Sequence, residues 1–368
     1  MSRVSDSDQR KNQAQHQGGT VESDRPIWRQ LWIRLLIWLA VVILLWFVIR
    51  EVDLRSLWQA VGHLSALEIG ALLLVNLIAL SAMSLRWWIV VRAFGHRLSL
   101  FRAIGYRLAA FSVSYFTPGP HFGGEPLQVH LLKRRLKLRG TQSAATVALD
   151  KSIELVANFS FLLLGLTVLL GLGVFPSLSP VPVLTLAAGL LALPMMHLIA
   201  AARGHRPLAG IIRRLPPRVQ TVTRVNRLTA LLAETEGEVV RFLRERTGWF
   251  VATLVASGVT WAVFVTEYWL MSQFLGIRLT GLEAIAALTA ARVAFLLPMP
   301  GGLGALEASQ VLAVSALGHS AAAGAALALV IRARDLIFGG IGLVIGGLAT
   351  GKSGLASWKA PGVQEESL

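Results

Sequence analysis

LPMPGGLG, at residues 297–304, separates two apolar runs that extend over 284–297 and 305–317. Proline removes a backbone donor and glycine adopts unusual backbone angles, so a continuous helix cannot pass through this octet. Each flank would be about 20 Å long as a helix, which is shorter than a hydrocarbon core of roughly 30 Å. Half-helices of this kind are tolerated at membrane depth only where protein or a water-filled cavity surrounds them. The octet therefore predicts a binding site, and its candidate residues are Pro298, Gly301, Gly302 and Gly304.

Two charged residues flank this break, Arg292 before it and Glu307 after it. A charge at the centre of a membrane helix costs about 2.5–3.5 kcal/mol on insertion scales, so such groups are usually paired or functional. Free amides at the start of the second half-helix favour an anion. We therefore expect a phosphate to lie between Arg292 and the amides of residues 302–305. Glu307 would either cap the helix or carry a proton that couples transport.

A similar break, TPGPHFGG, occurs earlier at residues 117–124, between an apolar run at 103–116 and a segment that begins at Glu125. The features after the two breaks correspond at an offset of 177–182 residues, and a charged helix follows each. Paired Pro/Gly interruptions in two halves are typical of transporters with inverted repeats. The first half adds the candidate binding residues Arg107, Gly123, Gly124 and Glu125, with Arg107 as the counterpart of Arg292.

The charged helices contribute further candidates. Arg332 is expected at the binding site, and Asp335, three residues later, shares its helix face, so these two side chains are expected to pair. The remaining charges are expected to serve as coupling groups or as structural ion pairs; they are Asp150, Lys151, Glu154, Arg334 and Asp335.

The composition defines the broad class. The chain has 368 residues, of which 54% are hydrophobic and 15% charged, and its mean hydropathy is +0.62. These values indicate an all-α polytopic membrane protein. The absence of cysteine excludes disulfides and cysteine-based zinc sites. The net charge of +15 is concentrated in a few segments, so it indicates topology and not nucleic-acid binding.

The hydropathy pattern predicts six spans, at 31–49, 64–90, 143–175, 182–202, 248–277 and 321–349. Segments rich in Lys and Arg fall on one side if the broken pairs do not cross, which places both termini in the cytoplasm of a bacterial inner membrane. The fold is then an inverted repeat of three spans plus one re-entrant broken-helix pair per half. The expected domains are a tail at 1–28, a transmembrane domain at 29–350 with repeats at about 29–175 and 181–350, and a tail at 351–368.

Residues 203–246 form a basic segment with ten Arg and four Glu. Its apolar residues have helical spacing, which predicts an amphipathic helix pair on anionic inner-leaflet lipids. The sequence GGLATGKS at 346–353 matches a phosphate-binding loop pattern, but a membrane helix precedes it where a strand is required. We therefore expect no nucleotide or other cofactor, and no metal at His121, Glu125 and His130.

Three motifs resemble those of a known family: PGPHFGGE at 118–125, PMPGGLGALE at 298–307, and the late intramembrane Arg332. They are similar to the flippase-like transmembrane region of lysylphosphatidylglycerol synthase, and the resemblance extends over about residues 30–350. Stand-alone members lack the aminoacyl-transfer domain, and this chain is expected to lack it too. The resemblance implies that a lipid is moved between leaflets: an anionic or zwitterionic phospholipid, or an isoprenoid or hopanoid-type lipid.

Two other classes remain open. One is a membrane-embedded glycosyl or head-group transferase that uses Glu125, Glu154 or Glu307 as acid and base. Short outward links and the lack of a donor-binding motif argue against it, so the protein is expected not to be an enzyme. The other is an accessory subunit that acts through residues 203–246. Homo-oligomerisation is undecided by the sequence.

Overall fold

The computed structural model describes residues 62, 64–117, 123–175, 179–214, 223–297 and 299–354. These residues form helices and contain no strand, as the sequence predicts. The predicted span at 31–49, the tail at 1–28, Pro298 and His121 lie outside the described residues. The helices are α1 (Ala66–Ala93), α2 (Leu100–Phe116), α3 (Glu125–Arg135), α4 (Gly140–Gly171), α5 (Pro180–Ala202), α6 (Pro207–Arg213), α7 (Thr223–Glu245), α8 (Thr247–Phe274), α9 (Gly281–Ala294), α10 (Ala305–Ala316) and α11 (Ala321–Gly354).

Long helices occupy the five predicted spans that fall in the described residues. Four of these helices, α1, α4, α5 and α8, are long and apolar enough to cross a membrane. The fifth, α11, has 34 residues, and at ~1.5 Å per residue it is about 50 Å long. It carries Arg332, Arg334 and Asp335 in its middle, and these charges distinguish it from the four apolar helices.

Both predicted breaks interrupt a helix. The chain stops being α-helical between α2 and α3 and again between α9 and α10, where only a short 3-10 turn, Pro300–Gly302, intervenes. Gly301, Gly302 and Gly304 have φ angles of 55°, 63° and 74°, a region that side chains with a Cβ rarely adopt. These angles explain why the second break needs three glycines.

The first broken helix of each half packs against the last long helix of the other half. Thus α2 lies along α11 and α9 lies along α4, while α1 and α8 pack against each other. Glycines allow close approach at both crossings: a Cβ on Gly165 would lie 1.8 Å from Thr289 Oγ1, and a Cβ on Gly342 would lie 2.2 Å from the Leu108 carbonyl oxygen. Gly342 and Gly346, spaced four residues apart, thus form a packing face of α11 against α2.

A local arrangement recurs after 181 residues. The Trp88 indole N–H donates to the Leu98 carbonyl at 2.7 Å, and the Trp269 indole N–H donates to the Leu279 carbonyl at 3.0 Å. The next residue in each case is a helix N-cap, Ser99 for α2 and Thr280 for α9. Each residue of the second set lies 181 positions after its counterpart, so both halves fix the turn before the broken helix in the same way.

The basic segment contains two helices, as predicted, and part of it is buried in the protein. On α7, Val239, Phe242 and Leu243 are buried in a cluster with residues of α1, α4 and α5. Phe242 stacks on Phe94 with ring centroids 5.4 Å apart. The C-terminal half of α7 is thus part of the protein core, whereas Leu228 in its N-terminal half is 53% exposed.

We expect Gly342→Ala to lower the thermal unfolding temperature in detergent, because the new methyl group would force α11 away from α2. Overpacking of this kind typically costs about 1–3 kcal/mol. Gly340→Ala is the matched control in the same helix, since nothing lies within 4 Å of its Cβ position. Equal unfolding temperatures for the two variants would contradict the proposed close contact.

Candidate functional site

A cavity of about 820 Å³ lies among the membrane helices, a volume in the usual range for small-molecule sites. Much of its wall is aliphatic or aromatic, including Leu80, Phe159, Leu162 and Phe338. Ten ionisable Arg, Lys, Asp and Glu side chains also line it, and their formal charges balance. The basic ones are Arg86, Arg107, Lys151, Arg292 and Arg334, and the acidic ones are Glu125, Asp150, Glu154, Glu267 and Asp335.

The carboxylate of Asp150 on α4 connects two arginines from different helices. Arg86 Nε on α1 donates to Asp150 Oδ1 at 2.7 Å, and Arg107 Nη1 on α2 donates to Asp150 Oδ2 at 2.6 Å. Both guanidinium groups also donate to Glu154 Oε2, Arg86 at a distance of 2.7 Å. Asp150 is only 2% exposed, so its charge depends on these partners.

Lys151 extends this cluster to the first break. Its Nζ lies 3.0 Å from Glu154 Oε1 and 3.1 Å from Glu125 Oε1. Glu125 also accepts a hydrogen bond from the Gly123 amide at 2.8 Å, while the Gly124 amide donates to Ser114 Oγ at 2.9 Å. The amides of Gly123 and Gly124 are therefore already bonded within the protein.

The second half holds three further ion pairs. Arg332 is fully buried, and its Nε donates to Glu307 Oε1 at 2.6 Å. Arg334 bonds Asp335 Oδ1 at 2.9 Å and also bonds Glu267 Oε1 on α8. The predicted pairing of Arg332 with Asp335 is therefore wrong, because Arg332 bonds Glu307 on α10 whereas Asp335 bonds its neighbour Arg334.

Arg292 differs from the other cavity-lining cations. No carboxylate oxygen of the described residues lies within 4 Å of it, and its buried Nε has no hydrogen-bond partner. Its guanidinium instead lies over the rings of Trp261 and Phe264, with 5.0 Å and 4.9 Å to the ring centroids. Cation–π contacts of this kind orient the group but leave its donors available.

An offset of 181 residues does not pair Arg107 with Arg292. It places Phe111 opposite Arg292 and Leu288 opposite Arg107. Arg107 lines the cavity, where it is held by two carboxylates.

Two glycines of the second break, Gly301 and Gly302, lie against protein and do not line the cavity. A Cβ on Gly301 would be 2.8 Å from Tyr115 Cζ, and one on Gly302 would be 3.0 Å from the Phe295 ring. The Gly302 amide already donates to the Met299 carbonyl at 3.1 Å, so one of the amides expected to bind a phosphate has a partner within the protein. Gly304, with a φ of 74°, is the residue at which the chain turns into α10.

Sequence reasoning missed two members of the charged clusters, Arg86 and Glu267. Arg86 lies inside α1, ahead of the helix end at Ala93. Glu267 lies within apolar α8 in the same way. A charge away from the ends of a mostly apolar span is the signal that identifies both.

These features define a polytopic helical membrane protein with a charged internal cavity. The chain belongs to the lysylphosphatidylglycerol synthase transmembrane-region family, whose model matches residues 31–342. This confirms the resemblance seen in the motifs. A membrane protein of the UPF0104 group from Methanothermobacter thermautotrophicus is 22% identical over 268 residues, which cover 70% of this chain and 78% of that protein. No solved structure matches the chain.

We expect Asp150→Asn to destabilise the protein by about 3–5 kcal/mol, because it leaves two buried guanidinium groups with one shared carboxylate. The measurement is unfolding in detergent. The control Glu238→Gln removes one partner of an ion pair with the exposed Arg241, 3.5 Å apart, and should change little. An Asp150 variant as stable as this control would show that the cluster does not hold the helices together.

Proposed function

We propose that the protein moves a lipid with an anionic or zwitterionic head group between the leaflets of the membrane. The observation that carries this proposal is the cavity, which combines ten charged side chains with an apolar wall inside a bundle of membrane helices. A lipid presents the same combination, since its head group is charged and its chains are apolar. The family resemblance implies the same activity.

Arg292 is the residue we assign to the head group. A planar guanidinium can give two parallel hydrogen bonds to a phosphate, and the rings of Trp261 and Phe264 hold this one without occupying its donors. The carboxylates of Glu267 and Asp335 bond Arg334 through one oxygen each. Their second oxygens suit an amine, so the same region accommodates a zwitterionic head group.

Alternating access by an inverted repeat is the mechanism we favour. The 181-residue recurrence at Trp88 and Trp269 supports a duplication, and the reciprocal packing of α2 on α11 and α9 on α4 supports a two-fold relation between the halves. Three spans per half, an odd number, would orient the halves oppositely and make the broken pairs re-entrant from opposite sides. Transport would then use an ion gradient or run down the lipid's own gradient.

Substitution of Arg292 tests the head-group assignment. We expect Arg292→Ala to abolish movement of a fluorescent phospholipid in proteoliposomes, measured by dithionite quenching. Arg292→Lys keeps the charge but loses the planar fork, so it should weaken head-group binding more than it reduces stability. Arg278→Ala, in the exposed link between α8 and α9, removes the same charge away from the cavity and should retain the wild-type rate.

If Arg292→Ala moves lipid at the full rate, Arg292 does not bind the head group. Turnover of a sugar or head-group donor would favour the transferase instead. Glu307→Gln is a poor test of coupling to protons. Glu307 is bonded to the fully buried Arg332, so the substitution would leave the charge of Arg332 without its carboxylate partner.

Cysteine labelling tests the inverted topology in this cysteine-free chain. Cysteines at Ser56, Ser177 and Thr280 should react with an impermeant reagent from outside, whereas cysteines at Ser7 and Thr229 should react only after permeabilisation. Ser7, Ser56 and Ser177 lie outside the described residues, so their sides follow from the Lys and Arg distribution alone. Labelling of Ser177 and Thr280 from opposite sides would contradict the inverted repeat.

A further inference from the structure

The short helix α6 is fixed at one end of the bundle. It begins five positions after the end of α5 at Ala202, so it lies at the level where α5 ends. Glu236 on α7 accepts the Leu208 amide at Oε1 and the Ala209 amide at Oε2, each at 2.9 Å. Glu236 is 5% exposed, so these bonds form a buried clamp between α6 and α7.

Two leucines, one on α6 and one on α5, line the cavity and are also widely exposed. Leu208 on α6 lines the cavity and is 46% exposed, and Leu193 on α5 lines the cavity and is 69% exposed. A side chain can have both properties only near an opening. The cavity therefore opens outward along the edge formed by α5 and α6.

The outer face of α6 has the chemistry of a helix that lies in a lipid head-group layer. Ile211 is 62% exposed, and Arg203 and Arg214, which precede and follow α6, are also exposed. An exposed isoleucine is unfavourable in water but favourable at the boundary between head groups and acyl chains. Arginines at the same level attract anionic lipids, so the leaflet surface on the α6 side is the partner that fits this face.

We infer that α6 is the rim of a lateral portal through which an anionic lipid enters the cavity from the leaflet on its side. The portal rests on the proposed function, whereas the contact of α6 with the leaflet does not. The arginines concentrate anionic head groups at the rim. The leucines at the opening let the acyl chains remain in the bilayer while the head group passes inward to the charged residues.

A fluorescent label tests the contact with the leaflet. Ile211→Cys carries bimane, and the protein is placed in nanodiscs that contain acyl-brominated phosphatidylglycerol. We expect strong quenching at this position and little at a labelled Glu234→Cys, which is exposed on α7. Quenching should fall in the double variant Arg203→Gln/Arg214→Gln when the brominated lipid is anionic, and should not change when it is zwitterionic. Equal quenching at Ile211 and Glu234 would overturn the docking of α6.

A blocking experiment tests the portal. A bulky thiol reagent on Leu193→Cys or Leu208→Cys should reduce lipid movement at least tenfold. The same reagent on Leu186→Cys should leave the rate unchanged, because Leu186 is 68% exposed on α5 but does not line the cavity. Full rates after modification of both rim positions would refute the portal alone. Absence of lipid movement in the unmodified protein would refute the proposed function and the portal together, and Ile211 quenching would still decide the docking.

Discussion

The rest of the structure depends on the pairing of the buried Asp150 carboxylate with two arginines. A charge removed from water must be compensated locally, and Asp150 achieves this with arginines from two other helices. Because those helices are α1 and α2, one side chain on α4 ties three elements together at the cavity wall. The cost of burying Arg86 and Arg107 is offset only while α1, α2 and α4 keep their register, so the charged cluster and the shape of the cavity are determined together.

Backbone polarity imposes a second constraint. Non-helical backbone at membrane depth needs protein around it, and one glycine of each break, Gly124 and Gly301, packs closely against another part of the protein. The Gly124 amide bonds Ser114, and a Cβ at Gly124 would lie 2.1 Å from the Ala110 carbonyl oxygen. At the second break Gly301 packs against the Tyr115 ring, so the turn of one half rests on a helix of the other. Both breaks therefore contribute to the packing between helices, whereas the wall of the cavity is formed mainly by side chains.

The sequence predicted features that depend on neighbouring residues. Apolar length located the spans, and the Pro/Gly octets located the breaks, because both follow from local chemistry. It did not predict which charges pair, because the partner of Arg332 is Glu307 on α10, 25 residues away, and not Asp335 on its own helix. The role of Arg86 was missed for a similar reason: its partners lie 64 and 68 residues away on α4. Arg292 was identified as important, but its aromatic neighbours could not be read from spacing.

The 181-residue offset places Phe111 and Arg292 at corresponding positions, and both side chains line the cavity. An anion in the cavity would therefore meet an aromatic ring at one of these positions and a guanidinium at the other. A ligand shifts a two-state equilibrium by its difference in affinity for the states. In the alternating access that we propose, this difference in lining would make a bound lipid favour one access state over the other.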